Sequence, residues 1–338
     1  MSGIVVDPII ANLLLDIVRD LFQVSELTRV LSRGFSFAAL FVMIGVGLSL
    51  IFGLMGVLNF AHGTFVMLGA YIGGAFMLAA LTVVSGEVVS LILFFLAIAF
   101  VFALLTALGS AIEVSMIRPI YDRQPLFQIL LTFGIVLVLD ELARIVVELY
   151  GRSPGADWRE PGGTMPDLLS GSLITYVDRL QVFEVLVGAA VVIGTWWFLN
   201  ETRYGLYIRA GSEESEMVEA LGINIRQAFT VVFGVGSGLA GVAGVMLMWD
   251  PRFAIQVPLS TEALLIAFVV VIIGGLGTFR GTVVASVLTG VLFALMQWVF
   301  ANHVAYPGLP EMSLFLVMVL VLIVRPQGLL GVEEVGGH

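Results

Sequence analysis

Leu91-Ile-Leu-Phe-Phe-Leu-Ala-Ile-Ala-Phe-Val-Phe-Ala-Leu-Leu105 runs for fifteen residues without one polar side chain. A strand of a membrane barrel alternates lipid-facing apolar and lumen-facing polar residues over about ten positions, and this run does not alternate. Hydrocarbon offers no hydrogen bonds, so a spanning backbone that is not a barrel must be helical. A helix needs about 20 apolar residues to cross roughly 30 Å of hydrocarbon. The run sits in one of nine such segments, 35–58, 64–84, 88–112, 126–150, 181–199, 228–248, 262–279, 281–300 and 312–324. The expected fold is an all-α polytopic helical bundle of about eight to ten membrane segments.

Composition agrees with that expectation. Of 338 residues, 59% are hydrophobic and 12% charged. Soluble domains are roughly 45–50% apolar and about a quarter charged. A chain this apolar lacks the polar groups to cover a water-facing surface, which excludes soluble enzymes, disordered proteins and nucleic-acid binders. There is no cysteine, and hence no disulfide or thiolate metal site; the three His are too scattered to suggest a metal. All 15 basic residues are Arg, so a Walker A loop, which needs Lys on the nucleotide phosphates, is absent. ATP used in this protein's work must be bound by another chain.

Three parts are expected: an N-terminal amphipathic extension (1–33), a transmembrane domain (34–331) and a short tail (332–338). Within 7–24, Ile9, Ile10, Leu13, Leu14, Ile17, Val18, Leu21 and Phe22 form one helical stripe, with Asp16, Arg19, Asp20 and Gln23 opposite. That pattern predicts a helix lying in the membrane interface. Asp7, where a signal peptide would be basic, argues against a secretory leader. Placing the 114–125 and 201–227 loops, the hairpin near 280 and the C-terminus inside gathers Arg118, Arg123, Arg203, Arg209, Arg226, Arg280 and Arg325 on the cytoplasmic face. The opposite loops hold Arg152, Arg159, Arg179 and Arg252, a modest positive-inside bias.

Several motifs invite a chemical reading. Gly236-Ser-Gly238-Leu-Ala-Gly241 matches a dinucleotide fingerprint, but 228–248 carries no charge and its small residues recur every four positions, as in close helix packing. Asn59-Phe-Ala-His62-Gly63 places polar and flexible residues between two apolar helices and predicts a broken helix facing a cavity, the alternative being a plain interfacial turn. Asp140, Glu141, Arg144 and Glu148 lie toward the end of one span. There Asp140/Arg144 and Glu141/Arg144 are spaced to pair, either at the interface or lining the mouth of a pathway. In loop 201–227, Ser212 is expected to cap a short cytosolic helix with Glu213–Glu216 in its first turn, ended by Gly222.

These residues, in this order, resemble the LivH-type permease subunits of ABC importers for branched-chain amino acids. The resemblance covers residues 34–331. It rests on Gly47-Leu-Ser-Leu-Ile-Phe-Gly53, Asn59-Phe-Ala-His-Gly63, Met67-Leu-Gly-Ala-Tyr71, Arg118-Pro-Ile-Tyr121, Leu130-Leu-Thr-Phe-Gly134, Arg209-Ala210, Glu219-Ala-Leu-Gly-Ile-Asn224 and Ala240-Gly-Val-Ala-Gly244. Ala267-Phe-Val-Val-Val-Ile-Ile-Gly-Gly-Leu-Gly277 and Arg325-Pro-Gln-Gly328 complete it. Each motif is weak alone; their order and spacing are specific.

The resemblance implies a multi-pass permease of the cell membrane, with no enzymatic activity and no cofactor of its own. Its partners would be a second permease subunit, two ATP-binding subunits and an external substrate-binding protein. Arg209, Glu216, Met217, Ala220, Leu221 and Gly222 would form the ATPase-coupling loop. Asn59, His62, Gly63, Gly274, Gly275 and Gly277 are the candidates for the translocation path or for helix breaks. Urea or short amides remain the alternative substrate class. A stand-alone secondary transporter would show matched repeats with mid-membrane charges, and an intramembrane enzyme a nucleophile with its base; neither pattern is present.

Overall fold

The computed structural model describes residues 8–83, 86–121, 123–151, 166–220, 222–304 and 309–331. Its helices are α1 (Pro8–Leu21), α2 (Val24–Met55), α3 (His62–Leu81), α4 (Glu87–Ile112), α5 (Pro125–Leu149) and α6 (Arg179–Glu201). They continue with α7 (Arg203–Ala220), α8 (Ile225–Trp249), α9 (Leu259–Gly274), α10 (Phe279–Val299) and α11 (Leu309–Val324). An antiparallel ribbon, β1 (Ser172–Ile174) and β2 (Val177–Asp178), precedes α6. Six helices among the described residues are long and apolar enough to cross a membrane, whereas α9 and α11 have 16 residues each. The chain is an all-α polytopic membrane protein.

The helices follow the apolar runs, with differences at their ends that have local causes. The first span begins at Val24, eleven residues before the expected 35, because Val24–Gly34 continues the same helix. It stops at Met55 rather than at 58, because Gly56 adopts a left-handed φ of 63° and its N–H bonds back to the Phe52 carbonyl. The sequence there forms a helix, α1, on which Leu15 and Val18 are exposed. Ser212 does not cap a helix. The helix in that loop starts nine residues earlier, at Arg203, where the Thr202 hydroxyl accepts the Gly205 N–H at 3.1 Å. Ser212 is therefore interior to α7.

The core is built around α2 and α8, which run antiparallel: Leu54 lies near Ile225, Gly47 against Gly236, and Ser36 beside Arg252. Every residue from Ser36 to Ile51 is buried, so this part of α2 is covered on all sides. A Cβ on Gly47 would stand 2.9 Å from the His62 ring and collide with the Gly236 carbonyl; one on Gly69 would stand 2.6 Å from the Gly241 Cα. The glycines of 236–241 are interior to a buried helix, where they let backbones touch. Packing of this kind substitutes for the hydrophobic effect, which lipid does not supply between helices. By contrast, α5 is peripheral: Leu130, Leu137, Leu142 and Leu149 are exposed along its length.

The ends of α2, α4, α6, α9 and α11 meet the starts of α5, α8 and α10 on one face. Gly53 touches Gly277, Ser110 touches Gly234, and Leu329 and Leu330 donate their N–H groups to the carbonyls of Ile273 and Gly274. Arg118, Arg203, Arg209, Arg226, Arg280 and Arg325 lie at this face, which is assigned to the cytoplasm.

Candidate functional site

The chain does not form a plain interfacial turn after α2. From Gly56 it runs back into the protein through Val57–Ala61, and α3 starts at His62. The Nε2 of His62 lies 2.7 Å from the Ile44 carbonyl, eleven residues before the end of α2. At 1.5 Å per residue that is about 16 Å along the helix, roughly half the hydrocarbon thickness. Thus the N-terminus of α3 opens inside the bundle, about 16 Å along α2 from its end. A carbonyl only accepts, so Nε2 of His62 carries the proton and Nδ1 is an acceptor, unpaired among the described residues. Asn59 is fully buried; its Oδ1 accepts the Ala61 N–H at 3.0 Å, which bends the backbone into α3.

A second helix begins at the same depth. Gly63 packs directly on the first turn of α9: a Cβ there would stand 2.7 Å from the Leu264 N and overlap the Ser260 carbonyl. Thr64, in the first turn of α3, donates its hydroxyl to Asp140 at 2.9 Å, and Ser260, in the first turn of α9, donates to the other oxygen at 2.6 Å. The Asp140 carboxylate therefore joins the N-terminal turns of two helices, where the unmatched N–H groups and the helix dipoles favour negative charge. Of the two pairings that sequence spacing allowed for Arg144, the ion pair found is the one with Glu141, at 3.2 Å on the exposed face of α5. Thr64 and Ser260 escaped the sequence reading, since a hydroxyl at the start of an apolar run is also what an ordinary cap looks like.

The glycines near 280 sit elsewhere. Gly274, Gly275 and Gly277 form the α9–α10 hairpin at the cytoplasmic end of α9, opposite the end that touches Gly63. Gly275 and Gly277 take φ values of 105° and 77°, conformations closed to most other residues. They are packed backbone to backbone, Gly277 on Gly53 and Gly275 on Gly331.

The cytoplasmic helix α7 lies beneath this hairpin. Ile208 and Val218 are buried against Leu54 and Ile225, docking α7 onto the ends of α2 and α8. Arg209 donates to the Asn200 side chain at 2.8 Å and lines a cavity of about 530 Å³ with Ser49, Trp196, Gly277 and Arg280. Met217 and Ala220 are exposed. Gly222 has a φ of 81°, and the Ile223 N–H returns to the Val218 carbonyl, the 6→1 closure of a glycine-ended helix. Asn224 then caps α8 through the Gln227 N–H. The Glu216 side chain and Leu221 lie outside the described residues, as do the tail 332–338 and residues 152–165 of the 151–180 loop.

Two buried ion clusters fix the ends of α8, and sequence reasoning missed both. Near the cytoplasm, Glu113 binds Arg118 at 3.0 Å and Thr230 at 2.7 Å and also accepts from Tyr121. At the outer end, Arg252 reaches Asp250 and Glu184 at 2.7 Å each and donates to Ser36 at 2.7 Å. No cluster of His and carboxylates able to hold a metal occurs among the described residues.

A bundle whose helices start inside the bilayer around a carboxylate, with a docked helix on its cytoplasmic face, defines a membrane transport protein of the polytopic helical class. Over residues 30–325 the chain matches the branched-chain amino acid transport system permease component family, and it belongs to that family. It is 27% identical to the high-affinity branched-chain amino acid transport system permease protein BraD of Pseudomonas aeruginosa, over 90% of this chain and 96% of that one. It is 25% identical to the LivH permease protein of Escherichia coli, over 90% and 95%. It is also 24% identical to a probable LivH of Methanocaldococcus jannaschii, over 90% and 92%. No solved structure gives a significant match. The chain is thus a multi-pass permease of the cell membrane, a non-enzymatic component of an ABC transport system that works with partner subunits.

Proposed function

We propose that this chain, paired with a second permease subunit, forms the pathway of an importer for branched-chain amino acids. Two ATP-binding subunits on the cytoplasmic face bind ATP, for which this lysine-free chain has no phosphate loop, and an external binding protein delivers the substrate. The observation that carries the proposal is the mid-membrane meeting of Asn59–Gly63 with the start of α9. Helices that open inside the bilayer supply polar backbone to a solute only where they line a cavity.

Coupling follows from the same geometry. Met217, Ala220 and Gly222, with Glu216 and Leu221 beside them, present the free end of α7 to an ATPase groove, and Arg209 anchors α7 to the end of α6. Displacing α7 moves the ends of α2 and α8 through Ile208 and Val218. Gly274, Gly275 and Gly277 form the hinge at one end of α9, and Asn59, His62 and Gly63 border the path at the other. The test is ATP-dependent leucine uptake in proteoliposomes holding the whole complex, with urea as competitor. Leucine uptake insensitive to urea is expected. Urea transport without leucine transport would reassign the substrate, and uptake without the ATPases would overturn the proposal.

A further inference from the structure

We infer that Asp140, held between Thr64 and Ser260, receives the ammonium group of the passing amino acid, and that the cleft beside it between α3 and α5 takes the aliphatic side chain. The inference rests on the importer reading above. A carboxylate at membrane depth is costly unless it faces protein or water. Asp140 is only partly buried, and its described partners are two hydroxyls, each donating to a different oxygen. A carboxylate offers about four lone-pair positions, so both oxygens retain capacity for a cationic donor. Arg144 pairs with Glu141 at 3.2 Å while its charge also acts on Asp140, and no described residue stands within ion-pair distance of Asp140. The positive ends of α3 and α9 favour negative charge at this position.

The neighbouring cleft matches the rest of such a solute. It has a volume of about 300 Å³ and is lined by Leu68, Ile72 and Ala75 of α3 and by Leu139, Leu142 and Ala143 of α5. Leu68 lies one turn beyond Thr64 and Ala143 one turn beyond Asp140, so the Thr64–Asp140 contact stands one turn below the apolar slot. That pairing suits an amine attached to a branched hydrocarbon and offers urea no advantage.

The chain contains no cysteine, so Leu142→Cys supplies a single thiol in the cleft. In the assembled complex, its reaction with aminoethyl methanethiosulfonate, a cation, is compared with that of the neutral methyl reagent. The cation is expected to react several-fold faster, to lose that preference when Asp140→Asn is added, and to be slowed by leucine but not by urea. Equal reaction of both reagents with Asp140 present would overturn the inference. Independently, Asp140→Asn is expected to lower leucine uptake per ATP hydrolysed by about tenfold, the scale of one charge-assisted contact. Undiminished coupled uptake would also overturn it. A Leu142→Cys complex that shows the cation preference, beside a wild-type complex that fails to import leucine, would sink the substrate assignment and leave the ammonium site standing.

Discussion

At the scale of single residues, the glycines separate into those that hold the bundle together and those that do not. Gly63 meets backbone, the Leu264 N and the Ser260 carbonyl, which has no rotamer by which to give way. Gly63→Ala must push α3 from α9, and overpacking of this kind costs about 1–3 kcal/mol. Gly134, on α5, has nothing within 4 Å of where its Cβ would be. Gly134→Ala should leave stability unchanged or raise it by up to about 1 kcal/mol, since alanine is the better helix former. Thermal unfolding of the two purified variants in one detergent checks both signs; equal midpoints would show that the α3–α9 contact is not rigid. Both residues are equally visible in the sequence. Only the fold distinguishes them, because packing depends on which backbone arrives opposite. The same holds for Asp140: its charge was plain, but its partners Thr64 and Ser260 lie 76 and 120 residues away.

At the scale of elements, most of the architecture was legible because lipid enforces a simple rule, an unbroken apolar run long enough to cross. The departures arise where a backbone conformation or a side-chain cap overrules composition. Gly56 ends α2 three residues early, and Thr202 starts α7 where Ser212 was expected to start it. A serine can serve as a cap or sit inside a helix, and sequence alone does not say which hydroxyl finds an N–H. Gly222, in contrast, was readable as a terminator, because a glycine after a charged helical run has few other uses. Its φ of 81° costs another residue about 1–2 kcal/mol. Gly222→Val should therefore unwind the exposed end of α7 while Ile208 and Val218 keep its remainder docked. Membrane insertion and helix content are expected to persist, and stimulation of the partner ATPases by loaded binding protein is expected to fall by more than about tenfold. Normal stimulation in this variant would remove α7 from the coupling route.

At the scale of the whole molecule, α8 is pinned at both ends and free of charge between them. The cytoplasmic pin ties α4 to α8 through Glu113, Arg118 and Thr230; the outer pin ties α2, α6 and the end of α8 through Ser36, Glu184, Asp250 and Arg252. Between them, contacts such as Gly47 with Gly236 and Gly69 with Gly241 are backbone on backbone. Such a unit resists bending and transmits a push on α7 as motion of one body, which an importer worked from the cytoplasm requires. The outer pin is the sharper test, because Asp250 and Glu184 have no exposure at all and share one cation. Arg252→Met leaves two buried carboxylates unneutralised and should cost about 3–5 kcal/mol, the toll of breaking a buried pair from one side. Arg144→Met removes only an exposed partner of Glu141 and should change stability by less than about 1 kcal/mol. Chemical or thermal unfolding of both variants measures the difference. If they prove equally stable, the outer cluster is not what holds α2, α6 and α8 together, and the rigid-body account of coupling fails with it.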